Sequence, residues 1–194
     1  MQREECIDLV LPDIERLLRY KTLAVAFAYP DENFFTFFPH LSSEKVKLLE
    51  EYDTLFRASQ IWLYGAEHLV KNEFQRVENL SDIMAFYRAF GLEPNKDRPD
   101  SLSCEMEFMY YLIFKKIQAQ KLQDSHERQE KIGVVLDGQK KFFFTHLYPA
   151  AQKIAEALIS QGNNFYSTIA KEMLEFLKSE EKFLSQLQEN CLRR

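Results

Sequence analysis

The sequence is poor in the residues that break a chain or staple it. Its 5 glycines and 6 prolines are few for 194 residues, too few for the closely spaced turns of a sandwich or barrel, and favour helices. The 3 cysteines, Cys6, Cys104 and Cys191, are odd in number, far apart and without a Cys-x-x-Cys. That argues against a disulfide framework and fits reduced, mostly buried thiols in a reducing compartment. His40, His68, His126 and His146 stand alone, as do the cysteines, so no pair at short helical spacing offers a metal site. There is no Gly-x-x-x-x-Gly-Lys phosphate loop, no Gly-x-Gly-x-x-Gly after a strand and no Gly-x-Ser-x-Gly elbow, and nucleotide hydrolysis and acyl transfer lose their usual support. No uncharged apolar run approaches the roughly 18 to 20 residues that cross a bilayer. The first eight residues carry three acids, Glu4, Glu5 and Asp8, where an export signal would have a basic region and then an apolar stretch. A cytoplasmic protein without stable membrane insertion is expected. The net charge of −5 argues against a nucleic-acid partner, because phosphate binding calls for a basic surface; an acidic surface suits a basic peptide.

What is present forms helices. The length suffices for one domain with a sizeable core, and no repeat, low-complexity tract or boundary divides residues 1–194, although those after about 185 are expected to fray. Pro12 opens a first helix with Ile14, Leu17, Leu18, Leu23, Val25 and Phe27 facing inward, closed by Tyr29-Pro30. Asp31 caps a short aromatic helix, Phe34 to Phe38, that reads as a core plug. Ser42 or Ser43 caps the next, in which Leu48, Leu49, Tyr52, Leu55 and Phe56 recur at three and four. It is expected to continue, kinked at Gly65, through Ile61, Trp62, Leu69 and Phe74, with Trp62 and Tyr64 in the core. Ser81-Asp82 caps another helix. Further on, Asp137-Gly138 reads as a turn, Phe142 to Leu147 as a short aromatic helix around a half-buried, hydrogen-bonded His146, and Pro149 as the start of a helix ending at Gly162. Asn163 or Asn164 caps a last amphipathic helix with Phe165, Ile169, Met173, Phe176 and Leu177 inside. The fold class is an all-α, compact single-domain helical bundle.

The stretch that organises the chain is a helix, a polar break and a second helix. Ile83, Phe86, Tyr87 and Phe90 lie at helical spacing, and Gly91 supplies the left-handed residue that ends many helices. Leu92 to Pro99 holds two prolines and alternating charges, so it neither continues the helix nor buries much. Asp100 or Ser101 then caps a helix to about Gln123, with Leu102, Met106, Met109 and Ile113 in one apolar row and Glu105, Phe108 and Leu112 beside it. Lys115 to Arg128 turns polar, as a solvated helix end and linker does. Glu105 and Glu107, two apart, point about 200° away from each other and cannot share one site. Each reads as a surface acid near the helix N-terminus, or as one of the acids that, with Asp100, present negative charge beside the break. With no catalytic constellation, the residues point to an acidic helical binding or scaffold protein, not an enzyme.

Phe86-Tyr87-Arg88-Ala89-Phe90-Gly91-Leu92, then Arg98-Pro99-Asp100-Ser101-Leu102, then Glu105-Met106-Glu107-Phe108-Met109 resembles the signature of the TorD/DmsD/NarJ family of redox-enzyme maturation chaperones, the nitrate reductase delta subunit-like proteins. Phe144-Thr145-His146-Leu147-Tyr148-Pro149 and Asn164-Phe165-Tyr166 resemble its closing segment. Ser101 stands where the family has a histidine, and the loop usual before the Tyr…Gly-Leu helix is nearly absent between Phe74 and Ile83. The resemblance implies a TorD-like helical bundle and a cytoplasmic, system-specific chaperone that needs no cofactor. Its partner would be the twin-arginine signal peptide or the apo catalytic subunit of a molybdopterin oxidoreductase, held during cofactor insertion and assembly. Monomer and homodimer both remain open. The groove expected for that partner is lined by Tyr87, Phe90, Gly91, Leu92, Pro99, Ser101 and the Leu102/Met106 row, with methionines that re-pack around different side chains. Asp100, with Glu105 or Asp97, would meet the arginines. The alternatives are a helical nucleotide-binding regulator and a structural subunit of a redox complex.

Overall fold

In a computed structural model, which describes residues 2–59, 61–94, 97–162 and 164–192 and side chains over 12–186 of these, helices α1 (Gln2–Ala26) and α6 (Leu102–Gln120) form the central antiparallel pair. Ser103 Oγ donates to the Ala24 carbonyl at 2.7 Å near one end of the pair, and Lys116 meets Asp13 at 2.7 Å near the other. Between them come α2 (Glu32–Phe37), a 3-10 turn (Pro39–Glu44), α3 (Lys45–Tyr52), a π turn (Asp53–Ala58), α4 (Ala66–Leu69) and α5 (Glu73–Ala89). After α6, α7 (Ser125–Phe142) passes through a second π turn (Phe143–Leu147) into α8 (Tyr148–Ile159), and α9 (Phe165–Leu192) packs back on α8. The only pairing of extended backbone among the described residues is one isolated antiparallel bridge, Tyr64 with Ser101. The expected all-α bundle is the fold.

α6 is the hub because one broad face of it is apolar: Leu102, Met106, Phe108, Met109, Leu112 and Ile113 are all buried. Rings gather on one side of it, where Phe108 meets Tyr87, Phe90 and Phe142 edge to face at centroid distances of 4.8, 5.8 and 4.7 Å.

Several local expectations are met. Asp31 accepts from the Asn33 and Phe34 amides and caps α2. Asn164 caps α9 through the Ser167 amide at 2.7 Å, while Asn163 and the C-terminal Arg193-Arg194 lie outside the described residues. Gly91 has φ +74°, the left-handed conformation in which a glycine ends a helix at least cost. His146 is buried and hydrogen-bonded to Asp82 at 2.8 Å. Burial pulls its pKa below the usual histidine value, partly countered by Asp82, so the imidazole is neutral at pH 7.

Others are corrected. α1 begins upstream of Pro12; Leu17, Leu23 and, just past its end, Phe27 face inward as expected, joined by Asp13, Arg16, Tyr20 and Ala24, whereas Ile14 and Leu18 are exposed. Arg16 is buried because its guanidinium is fully engaged. It bonds Glu180 of α9 at 2.7 and 2.8 Å, Asp13 at 3.0 Å and Gln139 of α7 at 2.9 Å, and lies 4.2 Å from the centre of the Phe183 ring. The helix expected through Ile61 and Trp62 does not exist: residues 61–63 are non-helical, and α5 starts at Glu73, after Asn72, whose side chain accepts from the Gln75 amide at 2.9 Å. Ser81-Asp82 therefore lies inside α5. Asp137-Gly138 lies inside α7, not in a turn. A Cβ on Gly138 would fall 2.8 Å from the Phe90 ring, so this glycine is a notch that admits Phe90 between α5 and α7.

Candidate functional site: an aromatic cleft beside the hinge

The break between α5 and α6 is held at both ends. The Tyr87 hydroxyl donates to the Pro99 carbonyl at 2.7 Å, and the Asp100 carboxylate accepts from the Ala66 amide at 3.0 Å and from Arg98 at 3.0 and 2.9 Å. The extended segment Ile61–Tyr64 lies against it, with Leu102 donating to the Leu63 carbonyl and Gly65 to the Asp100 carbonyl, both at 2.8 Å. A strand alternates its sides. Ile61 and Leu63 therefore enter the core, while Trp62, which is 43% exposed, and Tyr64 stand on the other side.

That side is one wall of a cleft of about 1350 Å³. Tyr29 and Phe37 beyond the end of α1, Tyr52 and Phe56 from the α3 region, and Ser103, Cys104, Glu107, Tyr110 and Tyr111 on α6 complete it, with Leu92, Glu93, Pro94 and Asp97 of the hinge along the edge. Four acids, Asp31, Glu93, Asp97 and Glu107, face two bases, Lys21 and Arg57. Both bases are engaged: Lys21 with Glu107 at 2.9 Å, and Arg57 with Asp53 at 2.9 Å while lying 5.0 Å from the centre of the Tyr29 ring. The rim is left acidic over an aromatic floor.

The structure separates the expected site residues. Tyr87, Leu92 and Ser101 line the cleft. Phe90 faces the Gly138 notch, and Leu102 and Met106, at 1% and 0% exposure, belong to the core and not to a groove. Asp100 is wholly buried and already bonded, and Pro99 and Gly91 serve the geometry of the break. Glu107 is the surface acid it was expected to be. Glu105 is not, being 1% exposed with one carboxyl oxygen lacking any partner. Trp62 and Tyr64, expected in the core, are cleft walls. The signal for them lay in the sequence only as the four-residue apolar run Ile61-Trp62-Leu63-Tyr64, too short to separate a strand from a helix by pattern alone.

Burial, reinforced by the Asp100 carboxylate, pushes Glu105 well above the usual carboxylate range. A raised folded-state pKa means that this group's contribution to stability is complete below about pH 4.3, the ordinary glutamate value, and is lost as pH rises through the folded value. Glu105→Gln, isosteric and never charged, loses no stability as pH rises, so the variant should gain on the unmodified protein between pH 4.5 and pH 8. Urea unfolding at the two pH values measures the difference.

Two polar groups of the cleft are held in their protonated forms. Burial and nearby acids push the Cys104 thiol up to about 11, leaving it un-ionised at neutral pH and a poor nucleophile. Tyr52 is likewise pushed up to about 12 by burial, with Tyr64 and Asp97 adding to the shift. Among the described residues no group of three or more His, Cys, Asp or Glu could hold a metal ion, and no helix is long and apolar enough to cross a membrane.

The helical body thus carries an aromatic cleft with an acidic rim beside its hinge. Residues 33–156 match the model of the nitrate reductase delta subunit family, which spans α2 to α8 and includes the hinge, and the chain belongs to that family of molybdoenzyme maturation chaperones. No curated protein matches the sequence.

Proposed function

We propose that this chain is a cytoplasmic, system-specific chaperone that holds an apolar, basic segment of a molybdopterin oxidoreductase catalytic subunit in the cleft until cofactor insertion and assembly are complete. The segment is the twin-arginine signal peptide or an unfolded stretch of the apo subunit. Family membership supports the reaction-free role. The observation that carries the placement is the aromatic wall of Trp62, Tyr64, Tyr110 and Tyr111 beside a rim on which acids outnumber bases. Rings give large apolar contact at little cost in side-chain entropy and receive many different aliphatic residues. Asp97 and Glu93 on the hinge supply charge for a basic residue at one end of the segment, in a setting open enough that pairing does not require full desolvation. The peptide-binding residues are then Leu92 from the expected set, joined by Trp62, Tyr64, Tyr110, Tyr111, Glu93 and Asp97, while Tyr87 and Ser101, each 3% exposed, underlie the cleft.

Calorimetry with a synthetic peptide carrying the client's leader tests the reading. Trp62→Ala should weaken binding about tenfold or more, as loss of a central aromatic anchor does. Because Trp62 is 43% exposed, the thermal midpoint should fall by only about 2 °C or less. Unchanged affinity in this variant would remove the cleft from the reading.

A further inference from the structure

Next to the cleft wall at Tyr64, one of the chain's own arginines is held by two acids and a ring. Arg98 donates to both oxygens of Asp100 at 3.0 and 2.9 Å and to Glu67 at 2.8 Å, and its guanidinium carbon lies 4.4 Å from the centre of the Tyr64 ring. A forked carboxylate, a second acid and an aromatic platform are what a guanidinium takes and an ammonium uses poorly. Asp100 is fully buried, whereas the Arg98 side chain is 34% exposed. The receiving half is thus part of the core and the received half is at the surface.

We propose that Asp100, Glu67 and Tyr64 form a guanidinium-binding site that Arg98 occupies in the free protein, and that an arginine of another chain lying in the cleft takes its place. The site does not depend on Arg98 for its shape. Asp100 is held from behind by the Ala66 and Gly65 amides, and Glu67 keeps Arg76 as a second partner. Behind Asp100, Glu105 is buried with an acceptor oxygen unpartnered. The main chain beside Arg98 need not move either, since Tyr87 fixes the Pro99 carbonyl. Exchange replaces one guanidinium by another, so the large cost of stripping water from a buried carboxylate nearly cancels. Tyr64 lines the cleft while carrying the guanidinium, so cleft and cage share a wall. The source of the incoming arginine rests on the chaperone reading above; the site itself does not.

The test uses the full chain with Arg98→Ala, titrated with N-acetyl-arginine methylamide, with the lysine analogue and with sodium chloride at matched ionic strength. The arginine analogue should raise the thermal midpoint by about 3 to 6 °C at tenfold its dissociation constant. The lysine analogue should need about tenfold more for the same shift, and the unmodified protein should respond to neither at these concentrations. Should the alanine variant not fold, Arg98→Lys must show the same ranking. Equal effects of the two analogues, or an equal response of the unmodified protein, overturns the site. For the exchange, an apolar peptide with one arginine is compared with its lysine version. The preference for arginine should grow about tenfold on going from the unmodified protein to Arg98→Ala, because the internal competitor is gone; an unchanged preference overturns the exchange. A cleft that takes no peptide at all would sink the chaperone reading and leave the analogue result standing.

Discussion

Arg16→Ala should cost about 3 to 5 kcal/mol, the usual consequence of removing one partner from a buried ion pair. The loss leaves Glu180, at 2% exposure, without its bidentate partner. Asp13 keeps only Lys116, at 2.7 Å. Because Arg16 joins α1 to α7 and α9, the variant should lose cooperativity at the C-terminal helix first, seen as faster amide exchange in α9 than in α6. Arg16→Met with Glu180→Leu, which replaces both charges by apolar groups of similar size, should recover most of the stability. A single substitution costing under about 1 kcal/mol would mean that Glu180 finds water when Arg16 is gone. Urea unfolding of the single and double variants measures both quantities.

Two glycines of α7 should respond in opposite directions. Gly133 has open space where a Cβ would stand, so Gly133→Ala should gain about 0.5 to 1 kcal/mol from helix propensity alone. At Gly138 a Cβ meets the Phe90 ring at 2.8 Å. Gly138→Leu should therefore cost about 2 to 3 kcal/mol through overpacking. The cost acts through the hinge, because Phe90 is the last ring before Gly91 and its carbonyl accepts from the Tyr111 hydroxyl at 3.3 Å. Displacing Phe90 moves the start of the break and one cleft wall, so Gly138→Leu should also weaken peptide binding. Thermal unfolding of the pair checks the sign; calorimetry checks the coupling.

How much of this was legible in the sequence follows from which signals are local. The hinge was, because Gly91, Pro94 and Pro99 act through their own backbone geometry. So was α6, whose apolar rows repeat over five turns. The Asp31 and Asn164 caps were legible because a cap needs only its own turn. What failed depended on partners distant in sequence. Arg16 and Asp100 look like surface residues until Glu180 and the Ala66 amide are brought to them, since charge alone argues for exposure. Asp137-Gly138 has the letters of a turn, and only Phe90, distant along the chain, makes the glycine a packing notch. The start of α5 was missed because its first half buries almost nothing: Phe74 and Val77 are exposed, so no apolar stripe marks the helix. Trp62 and Tyr64 were misplaced because a four-residue apolar run fits a strand and a helix equally well. The family resemblance pointed to the correct hinge, yet the groove inferred from it took in Leu102 and Met106, which the fold assigns to the core.

Trp62 is the only tryptophan in the chain and stands in the cleft wall, so its emission reports directly on whether a polypeptide segment enters. Titrating the full chain with a tryptophan-free leader peptide of a molybdopterin oxidoreductase should shift the emission to the blue and saturate at one peptide per chain. The same peptide with its apolar residues replaced by serine should leave the spectrum unchanged. Binding detected by calorimetry with Trp62 emission unmoved would place the partner elsewhere on the molecule and contradict the account.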